Sequence, residues 1–164
     1  MSKLIFIYCA LVVSLNVACA TASEESNGCV FNTGYYSENT YKRNSLVKHT
    51  QWNNDSKQAI IITSENDLVR INHWACRHVG LQAFMYLDQT SATPSVVIKK
   101  LKLLAKLSVE PADYKKIEAQ LSKTALTEKS NTIIDFKFDN YSEFYAAVSY
   151  TDSTAILEIK FYRD

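Results

Sequence analysis

The C-terminal third of the chain alternates apolar and polar residues with a period of two, and this alternation constrains the fold more than any other feature. It occupies three segments, 132–138 "TIIDFKF", 143–150 "EFYAAVSY" and 155–161 "AILEIKF". Short turn-forming runs, "DNYS" and "TDST", separate them. Because a period of two is typical of a β-strand with one buried face, the pattern predicts a three-stranded antiparallel meander.

A hairpin is predicted nearer the N-terminus. Residues 45–52 and 57–63 flank the polar turn "NNDS". The second arm, "KQAIIIT", is rich in β-branched residues, which favours a strand. The same seven residues also fit a helix that continues into the next segment, because short apolar runs do not distinguish helix from strand.

Three helices are predicted between these sheet elements. The first spans residues 65–87, with Ser64 as N-cap and acidic residues in its first turn. The second has Thr93 as cap and Pro94 at its first position, and the third begins near Pro111. The order predicts an α+β fold, in which about three helices pack on one face of an antiparallel sheet formed by the N-terminal hairpin and the C-terminal meander.

The first 22 residues have the layout of a secretory signal peptide. Lys3 precedes an apolar run that is too short to span a bilayer, and small residues follow it. Cleavage fits after Ala20 or Ala22, and we prefer Ala22. The remaining residues, 23–164, are then a single α+β domain that is periplasmic or secreted. Lipidation of Cys19 is the alternative, and it would anchor the protein in the envelope.

Export leaves two cysteines, Cys29 and Cys76, when residues 1–22 are removed. Two thiols in an oxidising compartment most often pair, so we predict a disulfide between them. The bond would close a loop of about 47 residues, which the chain-entropy model credits with roughly 4 kcal/mol.

Charge excludes one class of partner. Removal of residues 1–22 takes away one lysine and no acidic residue, so the formal net charge falls from +1 to zero. Binding to nucleic acid needs a basic excess or a basic stripe. The composition therefore predicts no nucleic-acid partner, and no segment after the leader is apolar enough to be a transmembrane span.

The segment 71–87, "INHWACRHVGLQAFMYL", holds the residues from which a catalytic or metal site would be built. On a helix, His73 and His78 would point about 140° apart, and the i, i+4 spacing of a zinc site is missing. Cys76 near His73 suggests a nucleophile, but a disulfide to Cys29 would consume its thiol. We therefore predict a core helix and assign no catalytic residue, no metal and no cofactor.

Aromatic residues on the N-terminal segments are the candidates for partner binding. They are Tyr35, Tyr36, Tyr41 and Trp52, with Arg43 nearby. Tyrosine, tryptophan and arginine dominate the energetics of protein interfaces. The alternative is that this segment folds back on the protein's own core.

Export, the predicted disulfide and the lack of a catalytic motif favour a small periplasmic binding protein that occludes a protein partner in the cell envelope. In size and layout the chain looks like toxin-immunity proteins and inhibitors of cell-wall hydrolases, which is a likeness of architecture alone. The alternatives are a small periplasmic hydrolase or ligand-binding enzyme, and an envelope lipoprotein anchored at Cys19.

Overall fold

The computed structural model describes residues 30–34, 36–75, 78–137 and 142–163, which form one seven-stranded antiparallel sheet and three helices. The helices are α1 (Asn39–Lys42), α2 (Pro94–Ser108) and α3 (Pro111–Leu121). The strands are β1 (Val47–Asn53), β2 (Gln58–Thr63), β3 (Leu68–Ala75), β4 (Val79–Asp88), β5 (Thr132–Lys137), β6 (Ser142–Tyr150) and β7 (Thr154–Arg163). Their order across the sheet is β1-β2-β3-β4-β7-β6-β5.

Two meanders meet at the centre of the sheet. The first runs from β1 to β4, and the second runs from β5 to β7 after the chain has passed through α2 and α3. They join where β4 pairs with β7, from Val79 opposite Arg163 to Asp88 opposite Thr154. The α+β class is confirmed, and the sheet contains both the predicted hairpin, as β1 and β2, and the predicted C-terminal meander.

Helices α2 and α3 begin where the sequence predicts them. Pro94 and Pro111 occupy first-turn positions, where the missing N–H of proline costs no helical hydrogen bond. The cap of α2 is Thr93, whose Oγ1 accepts a hydrogen bond from Val96 N at 3.5 Å.

The helix predicted for residues 65–87 is wrong, because this segment forms β3 and β4. Large apolar residues occur on both sides of these strands: Val69 and Ile71 are buried beneath the helices, whereas Leu68 and Trp74 point to the opposite face. Strands with apolar residues on both faces lose the simple period of two. On a helical wheel the same residues give a surface that is apolar nearly all round, which resembles a buried helix.

Ser64 lies in the turn between β2 and β3 and caps no helix. Asn66 takes a left-handed conformation there, with φ of 66°. Thr63 Oγ1 accepts a hydrogen bond from Asp67 N and donates one to Asp67 Oδ2, each at 3.0 Å. Asp67 also forms a 2.6 Å ion pair with Lys100 of α2. The acidic residues that suggested a first helical turn therefore fix this turn against α2.

The sheet has two different faces. The covered face packs against the helices, and α2 lies across β4 and β7. The open face has no helix over it in the part of the chain that the structure describes. The core lies between the covered face and the helices, and its large, fully buried side chains include Ile71, Leu81, Met85, Leu101, Leu104, Ile117, Phe144, Leu157 and Ile159.

Candidate functional site

An aromatic–histidine cluster, formed by Tyr36, Tyr41, Trp52 and His73, lies on the covered face. Tyr41 comes from α1, and the alternation of β1 and β3 directs Trp52 and His73 toward the same side. The rings of Tyr36 and Trp52 contact the imidazole edge to face, with centroid separations of 4.3 and 5.5 Å. The Tyr41 hydroxyl oxygen lies 2.6 Å from His73 Nε2.

Burial determines the protonation of this cluster. It lowers the pKa of His73 to about 4, although hydrogen bonding to the backbone of Lys57 and Ile71 opposes the shift. Burial also raises the pKa of Tyr41 well above its usual value. Both groups are therefore neutral at pH 7, and one proton joins the Tyr41 oxygen and His73 Nε2, with the tautomer of the ring deciding which atom donates. His73 Nδ1 is buried without a hydrogen-bond partner among the described residues.

A neutral imidazole bonded to a phenol is chemically capable of acid–base work. Its accessibility argues against that role, because His73 is 6% exposed and Tyr41 is 1% exposed. A substrate atom must come within hydrogen-bond reach of a general base, and these two groups are shielded by Tyr36 and Trp52. The cluster therefore serves to hold the segment around α1 against the sheet.

Three of the five residues predicted to bind a partner meet in this cluster. Tyr41 is buried, whereas Tyr36 and Trp52 are half-buried against the core. Arg43 is exposed at the end of α1, and Tyr35 lies outside the described residues. Partner binding through these five positions stays a prediction, and Tyr41 has no free surface to offer it.

A half-buried ion pair next to Tyr36 ties α3 to the sheet. Asp113, in the first turn of α3, pairs with Arg163 at the end of β7, and Arg163 Nε donates to Ser142 Oγ at 3.4 Å. Burial raises the pKa of Tyr36 to about 12, with the positive charge of Arg163 opposing the shift and the negative charge of Glu110 adding to it. Tyr36 is thus a neutral phenol that lies close to this pair.

The open face carries large apolar side chains that the sequence did not single out: Ile60, Ile62, Leu68, Tyr86 and Ile156, which we call the apolar strip. The register places Ile62 opposite Leu68, and Tyr86 opposite Ile156. Continuing the β3–β4 ladder by one step brings Leu68 beside Tyr86. Leu68 is 53% exposed and Tyr86 is 44% exposed. The strip therefore crosses four adjacent strands, from β2 through β3 and β4 to β7.

Polar groups replace the apolar ones further along the same strands. Gln58 donates to Asn72 at 2.7 Å, and Gln82 donates to Glu158 at 2.6 Å. Beside them is a hollow of about 600 Å³ over β4, β5, β6 and β7. Its lining combines polar and charged side chains with aromatic rings and consists of Gln82, Asp135, Glu143, Phe144, Tyr145, Glu158, Lys160 and Tyr162.

Gly80 has a packing role at the end of this face. It pairs with Trp74 across β3 and β4, and a Cβ at position 80 would overlap the indole ring. The indole therefore lies flat over the glycine. It covers the part of β4 that has no side chain of its own. Lys160 lies 5.9 Å from the indole ring and covers its outer surface. The group that closely approaches Gly80 is thus a side chain of the neighbouring strand.

The histidines of the segment 71–87 do not form a shared site. His73 lies under the helices, whereas His78 is exposed in the β3–β4 turn and contacts the Tyr162 ring at 5.3 Å. Within the described ranges no three His, Cys, Asp or Glu side chains are grouped closely enough to hold a metal ion. Cys29 and Cys76, the predicted disulfide, lie outside the described residues.

No known protein provides a guide to function, since the chain matches no family model, no curated protein and no solved structure. In the described part of the chain no helix combines the length and apolarity needed to cross a bilayer. What the protein does is therefore inferred from its surfaces.

Proposed function

We propose that the protein is an exported binding protein that docks a protein partner on its open face and thereby occludes it. The apolar strip carries this proposal. Soluble proteins seldom leave large apolar side chains in adjoining positions at the surface, and when they do the patch usually marks an interaction site. Scattered single residues would need no such explanation, but four of these five follow one another across adjacent strands, and Ile60 lies next to Ile62 on the same face of β2.

The distribution of apolar and polar side chains around the strip is that of a protein interface. Its centre is aliphatic and aromatic, around Leu68 and Tyr86, and its border along the strands is polar, with the Gln58–Asn72 pair on one side. Interfaces between proteins share this order, in which an apolar centre is desolvated and a polar rim stays partly wet. Arg70 contributes to the border, where its guanidinium stacks 4.9 Å above the Phe84 ring.

A protein that acts by occluding its partner needs a binding surface and no catalytic group. An inhibitor of a cell-wall hydrolase or an immunity protein against an exported toxin acts in this way. The predicted signal peptide, and the net charge of zero that its removal would leave, are compatible with such a role. The partner's contact surface should present apolar side chains to the strip, because burying them against Leu68 and Tyr86 supplies the driving force.

Site-specific photo-crosslinking tests the docking surface. A photoreactive amino acid is placed at Leu68 or Tyr86, and at Lys115 as a control on the exposed side of α3. In cells of the native source, the two open-face positions should give one shared adduct of discrete mass, and Lys115 should not. Adducts of equal yield at all three positions would contradict the proposal, and an adduct of twice the chain's mass would assign the face to a second copy.

Affinity measurements with the identified partner complete the test. Leu68→Asp should weaken binding by at least about 30-fold, since an interface anchor contributes about 2 kcal/mol or more. Ala119→Asp, a change at an exposed position of α3, should leave the affinity unaltered. If Tyr36→Ala or Arg43→Ala abolishes binding while Leu68→Asp does not, the partner docks on the N-terminal segment and the open-face assignment fails.

A ligand-binding or hydrolytic role is the second candidate, and the hollow on the open face favours it. Its volume suits a small molecule, and Asp135, Glu143 and Glu158 supply carboxylates of the kind used in glycoside hydrolysis. We rank it second because the carboxylates of Asp135 and Glu143 are exposed to solvent and that of Glu158 accepts a hydrogen bond from Gln82. Turnover of a cell-wall fragment that is lost in a folded Glu158→Gln variant would reverse the ranking.

A further inference from the structure

Arg70 is a half-buried cation that lies beside the apolar strip on the open face. The register of β3 places Ile60 on one side of it and Phe84 on the other. Leu68, at the centre of the strip, is two residues earlier on the same face. Among the described residues the guanidinium forms no ion pair, and its Nε is buried without a hydrogen-bond partner.

The acidic side chains around Arg70 are engaged elsewhere. Glu158 belongs to the same cross-strand row and stands opposite Phe84 on β7. It is two strands away from Arg70, which separates the two backbones by about 10 Å, and its Oε1 accepts a hydrogen bond from Gln82 at 2.6 Å. Asp67, three residues before Arg70, is held in an ion pair with α2. Neither carboxylate therefore compensates the charge of Arg70.

A protein that docks on the strip must also cover Arg70. The residue lies directly opposite Ile60, which belongs to the strip, and its guanidinium stacks 4.9 Å above the Phe84 ring. An unpaired cation that loses its water at an interface opposes binding unless the partner supplies an opposite charge. A carboxylate meets this need best, because the guanidinium offers parallel N–H donors that match its two oxygens.

We propose, as an extension that rests on the proposed function, that the docked partner places an aspartate or glutamate side chain against the guanidinium of Arg70. Apolar side chains of the partner flank this carboxylate and cover the strip. The carboxylate accepts hydrogen bonds from the two terminal nitrogens, because Nε is already buried. A partner that presents a lysine at this place is rejected by repulsion, so Arg70 selects among apolar surfaces of similar shape.

Peptide selection tests this chemistry. Random linear peptides displayed on phage are selected on the mature protein, and clones that bind Leu68→Asn equally well are discarded. This variant removes an apolar side chain of the strip without changing the charge near Arg70. The remaining peptides should combine aliphatic or aromatic residues with an aspartate or glutamate. The same selection on Arg70→Gln should give apolar peptides that lack the acidic preference.

Affinities of one selected peptide measure the size of the effect. Arg70→Gln should weaken its binding by at least about 10-fold, because a hydrogen-bonded ion pair is lost at a desolvated site. Arg70→Lys should retain only part of the affinity, since an ammonium lacks the paired donors. Lys115→Gln, which removes an exposed positive charge from α3, should leave the affinity unaltered.

A double-mutant cycle identifies the contact itself. Replacing the acidic residue of the peptide by its amide should cost as much affinity as Arg70→Gln, and both changes together should cost little more than either alone. If Arg70→Gln does not fold, the amide peptide is decisive on the natural protein, because an unchanged affinity there contradicts the ion pair.

The outcomes distinguish the carboxylate contact from docking on the open face. Peptides that depend on Leu68 but lack an acidic residue, or that bind Arg70→Gln with full affinity, overturn the carboxylate contact and leave the docking surface intact. A selection that gives no peptide dependent on Leu68 overturns both.

Discussion

Acidification from pH 6.5 to pH 4 should lower the free energy of unfolding by about 3 kcal/mol through His73 alone. Burial keeps His73 neutral in the folded protein until its pKa of about 4, whereas the unfolded chain takes up this proton near 6.5. Between these values the unfolded state binds more protons, so stability falls as the pH falls. From about one pH unit above 6.5 the imidazole is neutral in both states and contributes no pH dependence.

Urea unfolding followed by circular dichroism at pH 7.5 and pH 4.5 measures this effect. A His73→Gln variant should be less stable at pH 7.5, because Tyr41 loses its partner, but its stability should depend less on pH. His49→Gln, an exposed change on β1, should retain the full dependence. If the His73 variant does not fold, NMR titration of the natural protein is decisive, because protonation of His73 near pH 6.5 would contradict the buried cluster.

Loss of the predicted Cys29–Cys76 disulfide should cost about 4 kcal/mol of stability in the chain-entropy account. Both cysteines lie outside the described residues, but their neighbours in sequence do not. Asn32 N donates to Ala75 O at 2.8 Å, so the segment that follows Cys29 runs beside the residue that precedes Cys76. Cross-linking there would restrict the unfolded chain while adding little constraint to the folded one.

The comparison is between the natural protein and Cys29→Ser, each unfolded with and without a thiol reductant. The reductant should lower the stability of the natural protein to about that of the variant, and it should leave the variant unchanged. Mass spectrometry under non-reducing conditions should show the two peptides linked. Free alkylation of both thiols in the folded mature protein would refute the bond.

The sequence predicted some elements of the fold because their signals are local. Thr93, Pro94 and Pro111 identify helix starts by the chemistry of the backbone at a helix N-terminus. Segment 143–150 alternates cleanly because β6 turns Phe144 toward the helices and Glu143 toward the open face. In such segments the residue type, the period and the burial agree.

The sequence failed where both faces of a strand are apolar. In β3, residues Val69 and Ile71 pack under the helices while Leu68 and Trp74 cover the open face. The strand therefore lacks the polar alternation that identifies β6. A clue was present in the β-branched Val69 and Ile71, two residues apart, because this spacing suits a strand and these residue types favour one.

Of the candidate surfaces, one could be predicted in part from the sequence and the other could not. Tyr36, Tyr41 and Trp52 were selected for their residue type, and the structure brings them together around His73, a contact that spans 32 residues between Tyr41 and His73. The apolar strip escaped notice because Leu68 and Tyr86 belong to the segment assigned to a helix. Its continuity exists only in the register of strands, which a single sequence does not specify.

The two tryptophans lie on opposite sides of the sheet, and this gives the molecule two separate optical reporters. Trp52 contacts His73 in the aromatic–histidine cluster, so its emission should respond to protonation and loosening of the segment around α1. Trp74 rests on Gly80 at the edge of the open face, so its emission should respond to a docked partner. Replacing either indole by phenylalanine leaves the other as the sole fluorophore of its type. Events on the two faces can then be followed independently in the same protein.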